Sequence, residues 1–432
     1  MKYRPLDSQV FIENRKRLAA ALKPNSVVIV RSNDIMPTNA DGTMTFIQNT
    51  HLFWMTGVDQ EETFFIMAPD HPDEHMREVL FVRETNEEIA IWEGHKLTKE
   101  EAVQTSGVRQ IKWNHEFEKT LNTILAESEH IYLYKNEHIR NATEVQTAND
   151  RLVEWVRNKY PLYEYERLAP VIYALRAIKS EVEVKTLRHA CDITEKGFRD
   201  ILDIVQPGVW EYEVEAEYLY TFVRNRSRGF AYTPIIAGGG NACVLHYIEN
   251  NQQLHDGDLL LMDVGAEYGN YNADMTRTIP VNGRFTKRQR AVYDAVLRVK
   301  NKATDILRPG ITIPEYHKEV GLFMEEELVE LGLIDKTDIK NQNPDWPAYK
   351  KYFMHGTSHH LGLDVHDYAS VWTPVQPGMV FTVEPGIYIR EENIGIRLED
   401  DILITEKGHD NLMRNIPIHA DEIEELMHKN KE

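Results

Sequence analysis

Residues 1–172 alternate between helical and strand-like spacing of hydrophobic positions. Residues 11–22 repeat apolar side chains at intervals typical of an amphipathic helix, and residues 26–31 form a short apolar run typical of a buried strand. Further strands are predicted at residues 62–68, 79–83 and 131–134, and further helices from Lys99 and Phe117. Helices and strands mixed in this way predict a small α/β domain.

Two long helices are predicted in residues 173–432, beginning at Ser180 and Thr286. In each case an acidic or amide residue follows three positions later, which is the pattern of a helix-capping box. Each helix ends at a Pro-Gly pair and is followed by a second helical segment, from Trp210 and from Pro314. This weak internal repeat is consistent with a duplicated α+β unit.

The remaining hydrophobic runs in this region predict β-strands. Residues 258–264 and 271–281 flank a turn and predict an antiparallel hairpin. Residues 379–383 predict a buried strand, and residues 395–405 alternate as one continuous strand. Residues 341–352, with prolines and amide side chains, predict an exposed excursion. We therefore expect residues 173–432 to form an α+β domain.

Composition narrows the class of protein. A chain of 432 residues with 42% hydrophobic residues is long enough for about two or three domains with sizeable cores. Its net charge of −20 argues against nucleic acid or an anionic membrane as the main partner. Only two cysteines, no secretory signal and no apolar run long enough to span a membrane predict a protein of the reducing cytoplasm.

A histidine-rich stretch at residues 355–367 is the strongest indication of chemistry. Four histidines and two aspartates fall within these thirteen residues, with glycines between them. Neutral imidazole binds metals well and titrates near working pH, so the stretch favours a metal site with acid–base groups. Surface histidines of a loop are the alternative.

Acidic residues elsewhere supply the other donors that such a site needs. Asp263 lies inside an apolar strand, and Asp274 follows eleven residues later on the returning strand. Two buried carboxylates repel each other unless a cation lies between them. With Glu384, Glu399 and His359 they form an oxygen-rich set, which suits a pair of Mn²⁺, Co²⁺, Fe²⁺ or Zn²⁺ ions better than Mg²⁺ or Ca²⁺. A separate ion pair for each acid is the alternative.

These residues resemble the five metal ligands of the pita-bread metallopeptidases. The matching motifs are Met-Asp-Val-Gly at Asp263, Ala-Asp-Met-Thr at Asp274, His-Gly-Thr-Ser-His at His359, Thr-Val-Glu-Pro-Gly at Glu384 and Arg-Leu-Glu-Asp at Glu399. The resemblance covers residues 176–420 and is closest to the Xaa-Pro aminopeptidase (aminopeptidase P) subfamily. It implies a pita-bread catalytic domain at residues 173–432, and a smaller creatinase-like α/β domain at residues 1–172.

Carried onto this sequence, the resemblance implies a site with two divalent metal ions. Asp274 and Glu399 would bridge the ions, and Asp263 would chelate the first. His359 and Glu384 would bind the second. Mn²⁺ is the expected metal, with Zn²⁺, Co²⁺ or Fe²⁺ as alternatives.

The resemblance also implies catalytic and substrate-binding side chains. His366 would stabilise the tetrahedral intermediate, His246 would contact the substrate, and Glu384 would transfer a proton. The other implied positions are the catalytic Arg397, the substrate-binding His355 and Tyr388, and Trp92, which would reach a neighbouring subunit's site. His360 departs from the family pattern, which often has a bulkier apolar residue there. This departure concerns the shape of the pocket and leaves the ligand set intact.

The implied activity is that of an exopeptidase that removes the N-terminal residue from peptides with proline in the second position. Peptides would be its partners, and a homodimer or homotetramer its assembly. Prolidase, which cleaves only Xaa-Pro dipeptides, is the nearest alternative because it shares the ligands. The large N-terminal domain disfavours methionine aminopeptidase, and the complete ligand set disfavours metal-free creatinase or a non-catalytic peptide-binding relative. A hydrolase built on Cys243 and His246 lacks an orienting third group.

Overall fold

The computed structural model describes residues 2–142 and 144–429, which form two compact units. The chain passes from one unit to the other between Arg176 and Ala177. This division falls at the end of the helix Leu168–Ala177, four residues beyond the boundary expected after residue 172.

One mixed six-stranded sheet forms the centre of the N-terminal unit. Its strands are β1 (Ser26–Arg31), β2 (Phe64–Met67), β3 (Glu78–Val82), β4 (Gln110–Trp113), β5 (His130–Leu133) and β6 (Glu164–Arg167). The order across the sheet is β4-β3-β2-β1-β5-β6. The contacts of β2 with β1 and β3 are antiparallel, and the other three pairings are parallel.

Helices connect the strands of this unit. They are α1 (Ser8–Ala21), α2 (Thr50–Thr56), α3 (Glu87–Glu93), α4 (Lys99–Ser106), α5 (Phe117–Leu125), α6 (Ala148–Lys159) and α7 (Leu168–Ala177). Leu121 and Ile124 of α5 and Leu152 and Val156 of α6 are buried in one core cluster with apolar residues of the sheet. The α/β pattern predicted for this part of the chain is therefore present.

Two pairs of packed helices belong to the C-terminal unit. Its helices are α8 (Glu181–Ile204), α9 (Glu211–Arg224), α10 (Lys287–Ile306), α11 (Ile313–Glu330), α12 (Lys336–Lys340) and α13 (Ala420–Lys429). Helix α8 packs on α9, and α10 packs on α11. The predicted capping boxes at Ser180 and Thr286 are both formed. Within residues 2–142 and 144–429, every helix is too short or too polar to cross a bilayer.

Short sheets form the rest of this unit and carry the candidate site. The strands are β7 (Ile235–Gly238), β8 (Leu259–Val264), β9 (Glu267–Tyr268), β10 (Tyr271–Asn272), β11 (Met275–Pro280), β12 (Val380–Val383), β13 (Gly386–Ile389), β14 (Ile394–Arg397), β15 (Asp400–Thr405) and β16 (Gly408–Asn411). They pair as β11-β8-β7, β12-β15-β16, β13-β14 and β9-β10. The predicted hairpin is confirmed as the antiparallel pair of β8 and β11, in which Thr276 lies opposite Asp263.

The prediction of one strand over residues 395–405 is wrong. The chain leaves β14 after Arg397 and enters β15 at Asp400, and these strands belong to different sheets. Glu399 lies at the break, where its backbone N–H donates to the carbonyl of Thr276 at 3.1 Å. Residues 394–402 are all buried, across both strands and the break between them, so no solvent-exposed residue marks the change of sheet.

Candidate metal centre

The five predicted donors converge within the C-terminal unit. Asp263 lies near the end of β8, Asp274 just before β11, and Glu384 just after β12. Single ligand atoms of Asp274, His359 and Glu399 all lie within 4.8 Å of one another. His359 Nε2 is 3.4 Å from Asp274 Oδ2 and 3.6 Å from Glu384 Oε1. Donors that are separated by more than a hundred positions in the sequence thus form one cluster.

Tyr232 joins the fifth donor to the cluster. Its hydroxyl oxygen is 2.6 Å from Asp263 Oδ1 and 2.5 Å from Asp274 Oδ1. One hydroxyl carries one proton, so it can donate to only one of these two acceptors. The other short oxygen–oxygen contact requires either a protonated carboxyl or a cation beside it. Tyr232 was not predicted, because it stands 31 residues before Asp263 in a segment with no distinctive pattern.

The electrostatics of the cluster also fit a cation. Burial, reinforced by the charges of Asp274 and Glu384, raises the pKa of Glu399 well above its usual range. Burial raises the pKa of Glu384 to about 7 and raises that of Asp274. Burial opposes protonation of His359, but its hydrogen bond to Asp274 and the charge of Glu384 raise its pKa to about 9. The cluster therefore retains protons that divalent metal ions would replace, and its four carboxylates and one imidazole suit ions from Mn²⁺ to Zn²⁺.

Arg397 and Thr276 form hydrogen bonds that orient the donors Asp263 and Glu399. Arg397 is buried and donates from Nη2 to Asp263 Oδ2 at 2.6 Å and from Nε to Thr276 Oγ1 at 3.1 Å. Thr276 in turn donates from Oγ1 to Glu399 Oε2 at 2.6 Å. Such outer contacts fix ligand orientation and tune metal affinity. Thr276 could have been found from the sequence, since it lies two positions after Asp274 and therefore on the same strand face.

A second chain of hydrogen bonds runs from Arg397 to His355. Arg397 Nη1 donates to the hydroxyl of Tyr388 at 2.8 Å, and that hydroxyl lies 2.8 Å from His355 Nε2. His355 Nδ1 is 2.7 Å from the carbonyl oxygen of Gly356, which can only accept. We infer that Nδ1 donates to this carbonyl and Nε2 accepts from Tyr388. Burial lowers the pKa of His355 to about 3, so the ring is neutral.

Of the histidines proposed to act on the substrate, His366 lies beside the cluster and His246 lies near His355. The exposed ring of His366 is 4.6 Å from that of His359, at an interplanar angle of 87°. His246 is exposed, and it lies near enough to His355 for its charge to contribute to the low pKa of that ring. Trp92 lies in α3 of the N-terminal unit with 83% of its surface exposed, and its suggested role stays a prediction.

The environments of His360 and Cys243 show that neither acts as a charged or nucleophilic group. His360 is buried against Phe381, with ring centroids 4.2 Å apart, and burial lowers its pKa to about 3. It therefore packs as a neutral aromatic ring. The thiol of Cys243 donates to the carbonyl of Ile394 at 3.5 Å, and burial raises its pKa. A raised pKa is the opposite of what a nucleophilic cysteine needs, so the Cys–His alternative is not supported.

Comparison with known proteins agrees with this site. The model of metallopeptidase family M24 matches residues 185–406, and that of the aminopeptidase P N-terminal domain matches residues 11–134. The fold and the site thus define a metallopeptidase of the M24 class. The Xaa-Pro aminopeptidase of Haemophilus influenzae is 35% identical over 435 residues, covering 98% of each chain.

Solved structures give the same result over the whole chain. Proline aminopeptidase P II from Yersinia pestis is 35% identical with a TM-score of 0.87, and covers 98% of this chain and 100% of that one. Zn-substituted aminopeptidase P from Escherichia coli, in complex with product, is 33% identical with a TM-score of 0.88, covering 99% and 100%. The chain belongs to the Xaa-Pro aminopeptidase group of metallopeptidase family M24. The family and the fold class predicted from the sequence are confirmed.

Proposed function

We propose that this protein is a metal-dependent exopeptidase that releases the N-terminal residue from peptides with proline in the second position, with a pair of Mn²⁺ ions as its native metal. The observation that carries the proposal is the convergence of Asp263, Asp274, His359, Glu384 and Glu399 in one largely buried cluster. Asp274, His359 and Glu399, whose ligand atoms lie within 4.8 Å of one another, would hold the metal together with Asp263 and Glu384.

The side chains around this cluster have separate tasks in the proposed reaction. When bound, the metals would polarise the scissile carbonyl and lower the pKa of water. Glu384, whose carboxylate lies 3.6 Å from His359 Nε2 within the cluster, takes a proton on its carboxylate and delivers it to the leaving proline nitrogen. His366, exposed beside His359, donates a hydrogen bond from its ring to the developing oxyanion, an effect typically worth about 3 kcal/mol of barrier.

A proline in the second position of the peptide requires a peptidase with a dedicated binding site for it. The peptide nitrogen of proline is tertiary and carries no N–H, so a peptidase that needs this donor cannot bind it. Two observations favour an aminopeptidase over prolidase: the match of residues 11–134 to the aminopeptidase P N-terminal domain, and the relatedness over nearly the full chain. A cytoplasmic location and a homodimeric or homotetrameric assembly belong to the same proposal.

Replacement of Asp274 tests the centre. We expect Asp274→Ala to lower hydrolysis of an Arg-Pro-Pro peptide by about 10³-fold or more, because loss of metal removes several kcal/mol of transition-state stabilisation. Metal content, measured by mass spectrometry, should fall in the same variant. Asp256→Ala, at an exposed aspartate that accepts from Asn282, is the matched control. Full activity in the Asp274→Ala variant would contradict the proposed metal site.

The choice of substrate distinguishes the aminopeptidase from prolidase. Apo-enzyme is supplied with Mn²⁺ and assayed on Gly-Pro and on a longer Xaa-Pro-Xaa peptide. The proposal expects turnover of the longer peptide. Turnover of Gly-Pro alone would identify a prolidase instead.

A further inference from the structure

A buried ion pair lies next to His366 but outside the metal cluster. Lys179 Nζ is 3.3 Å from Asp367 Oδ2, and the two side chains are only 1% and 3% exposed. Taking two charges out of water is costly, so a pair of this kind is weak evidence for stability alone. Asp367 directly follows His366 in the chain. The pair is therefore placed where it can control the position of that histidine.

The loop that carries His366 is closed by its own backbone. Asp367 donates its N–H to the carbonyl of His360 at 2.9 Å, which forms an isolated antiparallel bridge between the two residues. The neighbours of the bridged residues are His359 at one end and His366 at the other. Both histidines are adjacent to bridged residues, and their rings lie in contact, with centroids 4.6 Å apart. The bridge therefore joins the backbone next to His366 to the backbone next to the donor His359.

Lys179 anchors this bridge to the frame of the catalytic unit. Its backbone N–H donates to the carbonyl of Gly378 at 2.9 Å, two residues before β12, and β12 leads to Glu384. A Cβ at Gly362 would lie 2.3 Å from Asp367 Oδ2 and 3.1 Å from Lys179 Cε. Glycine at this position allows the ion pair to lie directly against the loop backbone. The lysine thus ties the loop of His366 to the strand that presents a donor.

We propose that Lys179 and Asp367 are positioning residues that hold His366 at the metal centre. Both side chains are almost fully buried against each other, so we assign neither of them to direct contact with the substrate. Their catalytic effect rests on the proposed function, since it requires His366 to act on the oxyanion. Loss of the lysine charge should allow the bridge at Asp367 to shift, and a displacement of about 1 Å can cost about a hundredfold in rate.

Kinetics of full-length variants test the proposal. Lys179→Met should lower kcat by about 10- to 100-fold, with KM and metal content unchanged. If Lys179→Met does not fold, the double variant Lys179→Met/Asp367→Asn is measured instead, because it leaves no unpaired buried charge. The same fall in kcat is expected. Arg298→Met is the control, because it removes a different partly buried ion pair, to Glu327, and should leave kcat unchanged. An unchanged kcat in the folded Lys179 variants would overturn the proposal.

The His366→Ala background separates positioning from a general structural role. If Lys179 acts through His366, adding Lys179→Met to His366→Ala should cause no further loss of kcat. A loss by the same factor in both backgrounds would overturn the proposal, since the lysine would then act independently of the histidine.

Hydrogen exchange gives a readout that needs no peptidase activity. Amides in residues 360–368 should exchange faster in the Lys179 variants than in the wild type, while helix α8 keeps its protection. Unchanged exchange in this loop would overturn the proposal whatever the activity. If the loop exchanges faster in the Lys179 variants but the wild type cleaves no Xaa-Pro peptide, the positioning of His366 by Lys179 is supported and the proposed function is refuted.

Discussion

At the scale of single residues, the metal centre depends on side chains that contact its donors without binding metal themselves. Tyr232 reaches both Asp263 and Asp274, and contacts of this kind are typically worth about 10- to 100-fold in metal affinity. We expect Tyr232→Phe to weaken Mn²⁺ binding by about that factor in calorimetric titrations of apo-enzyme. Tyr218→Phe is the control, because its hydroxyl is buried but contacts Met262 Sδ at 3.7 Å. Equal affinities in both variants would contradict the role of Tyr232.

His51 makes the stability of the N-terminal unit depend on pH. Its ring is buried, and Nδ1 lies 2.9 Å from Arg176 Nη1, a donor. Burial and the charge of Arg176 lower the pKa of His51 well below 6.5. His51 therefore binds a proton near pH 6.5 in the unfolded chain but stays neutral in the folded unit. Stability is consequently lost as the pH falls below 6.5. The loss is at most about 1.4 kcal/mol per pH unit.

The variant His51→Gln removes this titration and keeps an acceptor. We expect the wild type to lose more of its unfolding free energy than this variant between pH 7.5 and pH 5. Urea denaturation at the two pH values measures the difference. A constant gap between the two proteins would show that His51 does not titrate on unfolding.

At the scale of secondary-structure elements, much of the site could be predicted from the sequence. The capping residues located α8 and α10, and the apolar run ending at Asp263 located the β8–β11 hairpin, because these signals are local. The change of sheet at Glu399 could not be predicted. It depends on the different partners of β14 and β15, which are β13 and β12, and no local signal in residues 395–405 specifies those pairings.

Gly265 holds the β8–β11 hairpin tight enough to bring the two aspartates together. A Cβ at this position would lie 1.7 Å from the carbonyl oxygen of Ala273. Gly265→Ala must therefore push the strands apart, and we expect a loss of about 3 kcal/mol of stability together with weaker metal binding. Gly257→Ala is the control: its Cβ would meet nothing within 4 Å, so only the strain of φ 86° is added. Unaltered metal binding in Gly265→Ala would contradict the prediction.

At the scale of the whole molecule, sequence and structure give different kinds of information. The motifs around Asp263, His359 and Glu384 identified the family, because each is distinctive over a few residues. The contact of Lys179 with Asp367 joins positions 188 apart, and neither residue lies in a motif that requires the other. Such contacts appear only when the chain is folded, so Lys179 and Tyr232 were not predicted, whereas Arg397 was, because it lies in the motif around Glu399.

Metal binding should stabilise the C-terminal unit, since all five donors belong to it. Free metal at a hundred times Kd adds about 2.7 kcal/mol to the unfolding free energy. The pKa values of about 9 for His359 and about 7 for Glu384 mean that the metal-free cluster holds protons near neutral pH, and binding must release them. Affinity, and with it the gain in Tm, should therefore be larger at pH 8 than at pH 6. Scanning calorimetry with EDTA and with Mn²⁺ at both pH values measures this gain, and Asp274→Ala should lack it. A Tm that is the same with and without metal would show that the cluster binds no divalent ion.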